Sequence, residues 1–126
     1  TGFYGDHGDA VLDESSGAGT GFLAEVCRDW EAAAEPLRAL GGRVVHLRTG
    51  IVLDAHGGAL GRMLPAFRLG LGGRLGNGRQ FWSWIALEDL VRVIQHLLVT
   101  DTLAGPVNAG TFGPDVKFTS VPAEMK

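Results

Sequence analysis

At 126 residues, 45% hydrophobic, 20% charged and with a net charge of −3, the chain has the composition of one folded domain and too much apolar content for intrinsic disorder. That charge balance gives no basic footprint for nucleic acid or an anionic membrane, and no apolar run approaches the roughly 18 residues of a spanning helix. The lone Cys27 cannot close an internal disulfide, which points to a reducing compartment such as the cytoplasm.

From Gly21 onward, Phe22, Val26, Trp30, Ala33, Leu37 and Leu40 recur every three or four residues, the spacing of an amphipathic helix, with Thr20 as its N-cap. Glu25, Arg28, Asp29 and Glu31 form its polar face, and Pro36 predicts a break near Glu35. Gly41 and Gly42 stop the pattern. Residues 43–53 then read as a central parallel strand, because the run is β-branched and too apolar for a one-sided sheet. After a turn over 54–58, Leu60, Met63, Leu64, Phe67 and Leu71 give a second helical stripe, interrupted by Pro65. A glycine-dense segment, 70–78, carries the turn signal Asn77-Gly78 and leads into an extended piece over 80–85, where Trp82 and Trp84 alternate with Phe81 and Ser83. Residues 87–98 form the clearest helix: Leu87, Leu90, Val91, Ile94, Leu97 and Leu98 lie to one side, and Glu88 and Asp89 stand in the first turn, where the helix dipole favours acids. A short strand or strand-like turn over 105–110 follows, and no structure is assigned from Thr111 on. The order of helices and strands specifies an α/β fold with a parallel sheet.

Chemistry is sparser. His7, His46, His56 and His96 are dispersed without ligand spacing, so no metal site is expected. Asp6, Asp9, Asp13 and Glu14 read as a solvated acidic loop. The glycine runs 17–21 and 70–78 contain neither a dinucleotide fingerprint between a strand and a helix nor a P-loop lysine.

Several segments in order carry a resemblance: 2–6 (GFYGD), 22–31 (FLAEVCRDWE), 47–53 (LRTGIVL), 58–73 (GALGRMLPAFRLGLGG), 78–85 (GRQFWSWI) and 89–94 (DLVRVI). Together they resemble atypical short-chain dehydrogenase/reductases of the epimerase type, more narrowly the NAD(P)-dependent epimerase family of sugar-nucleotide epimerase-like proteins. The resemblance covers residues 1–110 and leaves 111–126 as an unassigned tail. It implies part of a doubly wound, NAD(P)-binding Rossmann-like fold with the substrate-side subdomain. The glycine fingerprint and a catalytic Ser or Thr would then lie ahead of Thr1, in a longer parent of which this chain is the C-terminal portion, inactive alone.

The implied cofactor is NADP or NAD, and the implied partners are a small-molecule substrate, the dinucleotide and a second copy in a homodimer. Cofactor contacts fall on Gly2, Phe3, Thr49, Gly50 and Ile51, since ligands of open parallel sheets sit beyond the carboxyl ends of strands. At Gly50 a plain strand-to-loop kink is the competing reading. Substrate contacts fall on Arg68, Gln80 and Trp82, although Trp82 stands where sugar-nucleotide epimerases place a phosphate-binding Arg, and Arg62, Arg68, Arg74 and Arg79 also read as solvated surface charges. The family chemistry pairs a Tyr hydroxyl with a Lys four residues on. Here Leu23 and Cys27 fill those slots, the lysines are Lys117 and Lys126 only, and Tyr4, the sole tyrosine, is a pocket residue and the one phenol available as a catalytic acid. An oxidoreductase- or epimerase-like enzyme and a non-catalytic, dinucleotide-sensing regulator both remain open.

Overall fold

The structure, a computed structural model, describes residues 2–8, 10–73 and 82–110. Among the described residues, four helices and four strands follow one another in an α/β order. The first helix, α1 (Phe22–Ala32), starts behind Gly21, whose φ of 94° only glycine adopts easily, so Gly21 rather than Thr20 occupies the cap and no side chain caps the helix. The expected break falls at Ala33 and Ala34. Pro36 then sits in the opening turn of α2 (Glu35–Ala39), where its missing N–H costs nothing. Gly41, at φ 82°, ends α2, and the Gly42 N–H returns to the Leu37 carbonyl at 3.0 Å.

The predicted strand over 43–53 divides at one residue. β1 (Val45–Thr49) pairs in parallel with β4 (Gly105–Ala109), from Val45 opposite Gly105 to Thr49 opposite Ala109. β2 (Ile51–Leu53) pairs in parallel with β3 (Trp84–Ala86). Gly50 makes the switch: its N–H reaches the Ala109 carbonyl at 2.8 Å, and the next N–H, of Ile51, reaches the Ser83 carbonyl at 2.8 Å. Among the described residues β1 has β4 as its one strand neighbour, so the expected central position is not seen, and parallel pairing is.

α3 (Gly58–Arg68) joins β2 to β3 and runs through Pro65 without stopping, against the expected interruption. Leu69 and Gly70 close it through bonds to the carbonyls of Pro65 and Phe67. α4 (Leu87–Val99) joins β3 to β4 and supplies the core: Val93 and Leu97 pack with Ile85 and Ala109, flanked by Val45, Leu47, Val52, Leu90, Leu103 and Val107. Arg43 ties its far end, Nη1 donating to the carbonyls of Leu97 at 2.9 Å and Leu103 at 3.2 Å. Carbonyls left over at a helix C-terminus favour such a cation. No described helix is long and apolar enough to cross a membrane.

Candidate functional site

β1 ends in Arg48 and Thr49, and β4 ends opposite them in Asn108 and Ala109. Alternation along a strand puts Arg48 and Asn108 on one face, and there both are buried. A buried guanidinium must be paired and fully bonded to offset its desolvation. Arg48 is paired through all three of its nitrogens: Nε and Nη2 donate to the two Glu31 carboxylate oxygens at 2.7 and 2.8 Å, and Nη1 donates to the Tyr4 hydroxyl at 2.9 Å. The guanidinium also lies 3.4 Å from the centre of the Phe3 ring, which stands edge-on to Tyr4. Its hydrogen bonds hold the Glu31 carboxyl below the ordinary carboxylate range, against an opposing effect of burial.

The chain continues from Tyr4. Its hydroxyl donates to Asn108 Oδ1 at 2.7 Å, and the Asn108 backbone N–H donates to a Glu14 oxygen at 2.8 Å. The segment 2–5, the loop carrying Glu14, α1, β1 and β4 thus meet around one guanidinium. Gly19 closes the assembly: its N–H bonds to the Phe3 carbonyl at 2.8 Å, and any side chain there would collide with the Tyr4 carbonyl. The Asn108 Nδ2 group is buried and has no partner among the described residues.

One residue further along each strand, the backbones close to contact. A Cβ on Gly50 would fall 2.7 Å from Ser83 Oγ and 2.8 Å from the Ser83 carbonyl oxygen; one on Gly110 would fall 2.5 Å from the same Oγ. Glycine is therefore required at the strand end for close backbone approach, the condition that the kink and the ligand contact share. Thr49 and Gly50 are half-buried here and Ile51 is exposed, at the carboxyl edge where open parallel sheets bind ligands.

The remaining expected site residues are placed as follows. Phe3 and Tyr4 are both buried, with Tyr4 only 4% exposed, and Gly2 lies against Leu23. Trp82 is 41% exposed and Arg68 is exposed in the last turn of α3; Gln80 lies outside the described residues, as do Arg74, Arg79, both lysines and the tail. Leu23 is exposed and Cys27 half-buried. Among the described residues, no group of three or more His, Cys, Asp or Glu is placed to hold a metal. Sequence reasoning missed Arg48, Glu31, Asn108 and Glu14 as members of one network. A signal existed for two of them: a charge and an amide set inside short β runs that otherwise read as buried.

No family model matches the chain. An epimerase family protein of Mycobacterium bovis is 55% identical over 107 residues, covering 85% of this chain and 36% of its own length. A nucleoside-diphosphate sugar epimerase from Corynebacterium glutamicum superposes with a TM-score of 0.76 at 46% identity, over 87% of this chain and 24% of that one. A human epimerase family protein crystallised with NADPH superposes with a TM-score of 0.80 at 38% identity, over 90% of this chain and 38% of that one. The chain therefore spans about a third of the length of the curated relatives it matches.

Proposed function

The chain belongs to the epimerase family, and from that premise we propose that it is the substrate-side, C-terminal portion of an NADP- or NAD-binding epimerase- or reductase-like protein that acts on a small molecule. The observation that carries this reading is the overlap of nearly the whole chain with a family member whose structure holds NADPH. The strand end fits one face of such a cofactor: Gly50 has no side chain, and the backbone of Thr49, Gly50 and Ile51 lies at the carboxyl edge. When bound, a nicotinamide supplies hydride transfer. The part of this chain is to present backbone to the cofactor from Gly2, Phe3 and residues 49–51, and to line the substrate side with Trp82 and Arg68. Tyr4 belongs to the pocket wall, since burial and its bonds to Arg48 and Asn108 engage its hydroxyl. Residues 1–110 carry this role; alone they lack activity, because no described residues form a pyrophosphate-binding glycine turn between strand and helix. Half-buried Cys27 suits a reducing compartment, the cytoplasm, and a second copy of the protein is its expected partner.

Titrating NADPH and NADH into protein made from the complete reading frame, followed by tryptophan fluorescence, tests the reading. Saturable quenching by either nucleotide is expected, and no response to both sinks it. A second reading, a non-catalytic dinucleotide sensor, is favoured by one observation: the family's Tyr and Lys slots hold Leu23 and Cys27. Saturable binding with no NADPH consumption across aldehyde, ketone and nucleotide-sugar substrates selects that reading over the first.

A further inference from the structure

We propose that Glu31 and Arg48 are positioning residues for the ligand-lining strand end, the pair fixing the backbone at Thr49 and Gly50 in its binding-competent course. The inference rests on the dinucleotide reading of the preceding subsection. Arg48 immediately precedes Thr49, and the residue opposite it in the ladder, Asn108, immediately precedes Ala109, the acceptor of the Gly50 N–H. Every polar arm of the Arg48 guanidinium is engaged by another part of the chain. Glu31 holds two arms from α1, and Tyr4 takes the third and passes the linkage on to Asn108 through its own proton. Both strands are thereby gripped at their penultimate residues, two positions before the switch from β1 to β2 at Gly50. Planar, bidentate bonding fixes orientation as well as distance, and a lysine or an apolar side chain at position 48 does not reproduce it. A strand end held in one course does not have to be ordered by the ligand when it binds, and the ordering free energy saved appears as affinity.

The ion pair's contribution to stability can be separated from positioning. Replacing a buried ion pair with apolar residues of similar volume is often neutral or stabilising, whereas removing one partner strands a buried charge. The test therefore compares the double variant Glu31→Leu/Arg48→Met with wild type in protein made from the complete reading frame, measuring thermal midpoint and NADPH dissociation constant. A midpoint close to wild type with affinity weakened by about tenfold or more is the expected result. Wild-type affinity in that variant overturns the inference and leaves a plain structural staple. Should the double variant not fold, Glu31→Gln supplies the reading: it keeps shape and one acceptor, and is expected to weaken NADPH binding about threefold or more, whereas unchanged affinity with a lowered midpoint overturns the proposal. Absence of NADPH binding in wild type is a different failure, which removes the dinucleotide reading itself.

Discussion

Glycine at the strand end is a matter of tenths of an ångström, and two of the glycines there differ in what crowds them. At Gly50 a methyl group would meet both the Ser83 hydroxyl and the Ser83 backbone, so no change of the serine side chain makes room. At Gly110 the outright clash is with the hydroxyl alone; the next atoms, in the Gly50 backbone at 3.2 and 3.3 Å, need give by only a few tenths of an ångström. Gly110→Ala should therefore destabilise by about 1–3 kcal/mol and be largely rescued by Ser83→Ala, while Gly50→Ala should not be rescued by that second change. Thermal unfolding of the two single and two double variants checks this, and equal rescue at both sites would contradict it. Glu31 carries a pH consequence. Its carboxyl titrates lower in the folded chain than in the unfolded one, so its stabilisation is complete above the ordinary carboxylate range and is lost as pH falls through the lower folded value. Stability measured from pH 6 down to pH 3 should fall more steeply in wild type than in Glu31→Gln, whose residual slope comes from the other carboxylates. This network was only half legible in the sequence. Arg48 and Asn108 advertise themselves as polar residues inside apolar strands. Glu31 reads as an ordinary solvated helix charge, because its partner lies 17 residues away, at a separation no local pattern encodes.

Elements were legible where their signal is local. The break before Pro36, the helix over 87–98 and the short last strand all follow from proline, glycine and helical spacing, whereas the division of the 43–53 strand at Gly50 does not show in the apolar run. The phase of α4 was less well read. The buried residues are Val93 and Leu97 with Leu90 half-buried, whereas Leu87, Val91, Ile94 and Leu98, one stripe around, remain largely exposed. A helix that is apolar over two adjoining stripes does not say which one meets the sheet; the crossing geometry decides. α3 shows propensity overruled in the same way, because Pro65 sits inside it and leaves the Gly61 carbonyl without its usual amide partner. Pro65 is exposed, so its ring offers little packing in exchange. Pro65→Ala should raise stability by about 1 kcal/mol or more, read as a higher thermal midpoint. A lower midpoint would mean that the proline is needed to aim the turn beyond α3.

On the scale of the molecule, the notable quantity is how much large apolar surface stays in water. Along α1 and α2, Phe22, Trp30, Leu37 and Leu40 belong to the apolar stripe of the amphipathic pattern, yet Trp30 is 75% and Leu40 86% exposed. The exposed stripe of α4 adds to the total. Folded single chains rarely carry contiguous apolar patches beyond a few hundred Å², and larger ones mark contact surfaces or drive association. The periodicity was thus a correct reading of helix and face but not of what the face meets, since the described residues leave that stripe exposed. The 126-residue chain by itself should accordingly bind a hydrophobic dye such as ANS and self-associate at micromolar concentrations, as seen by light scattering. Trp30→Glu with Leu40→Lys should suppress both, at a cost within about 0.5 kcal/mol because neither side chain is buried. A wild-type chain that stays monomeric and dark to the dye at the same concentrations would show that these side chains do not form a continuous apolar surface in solution.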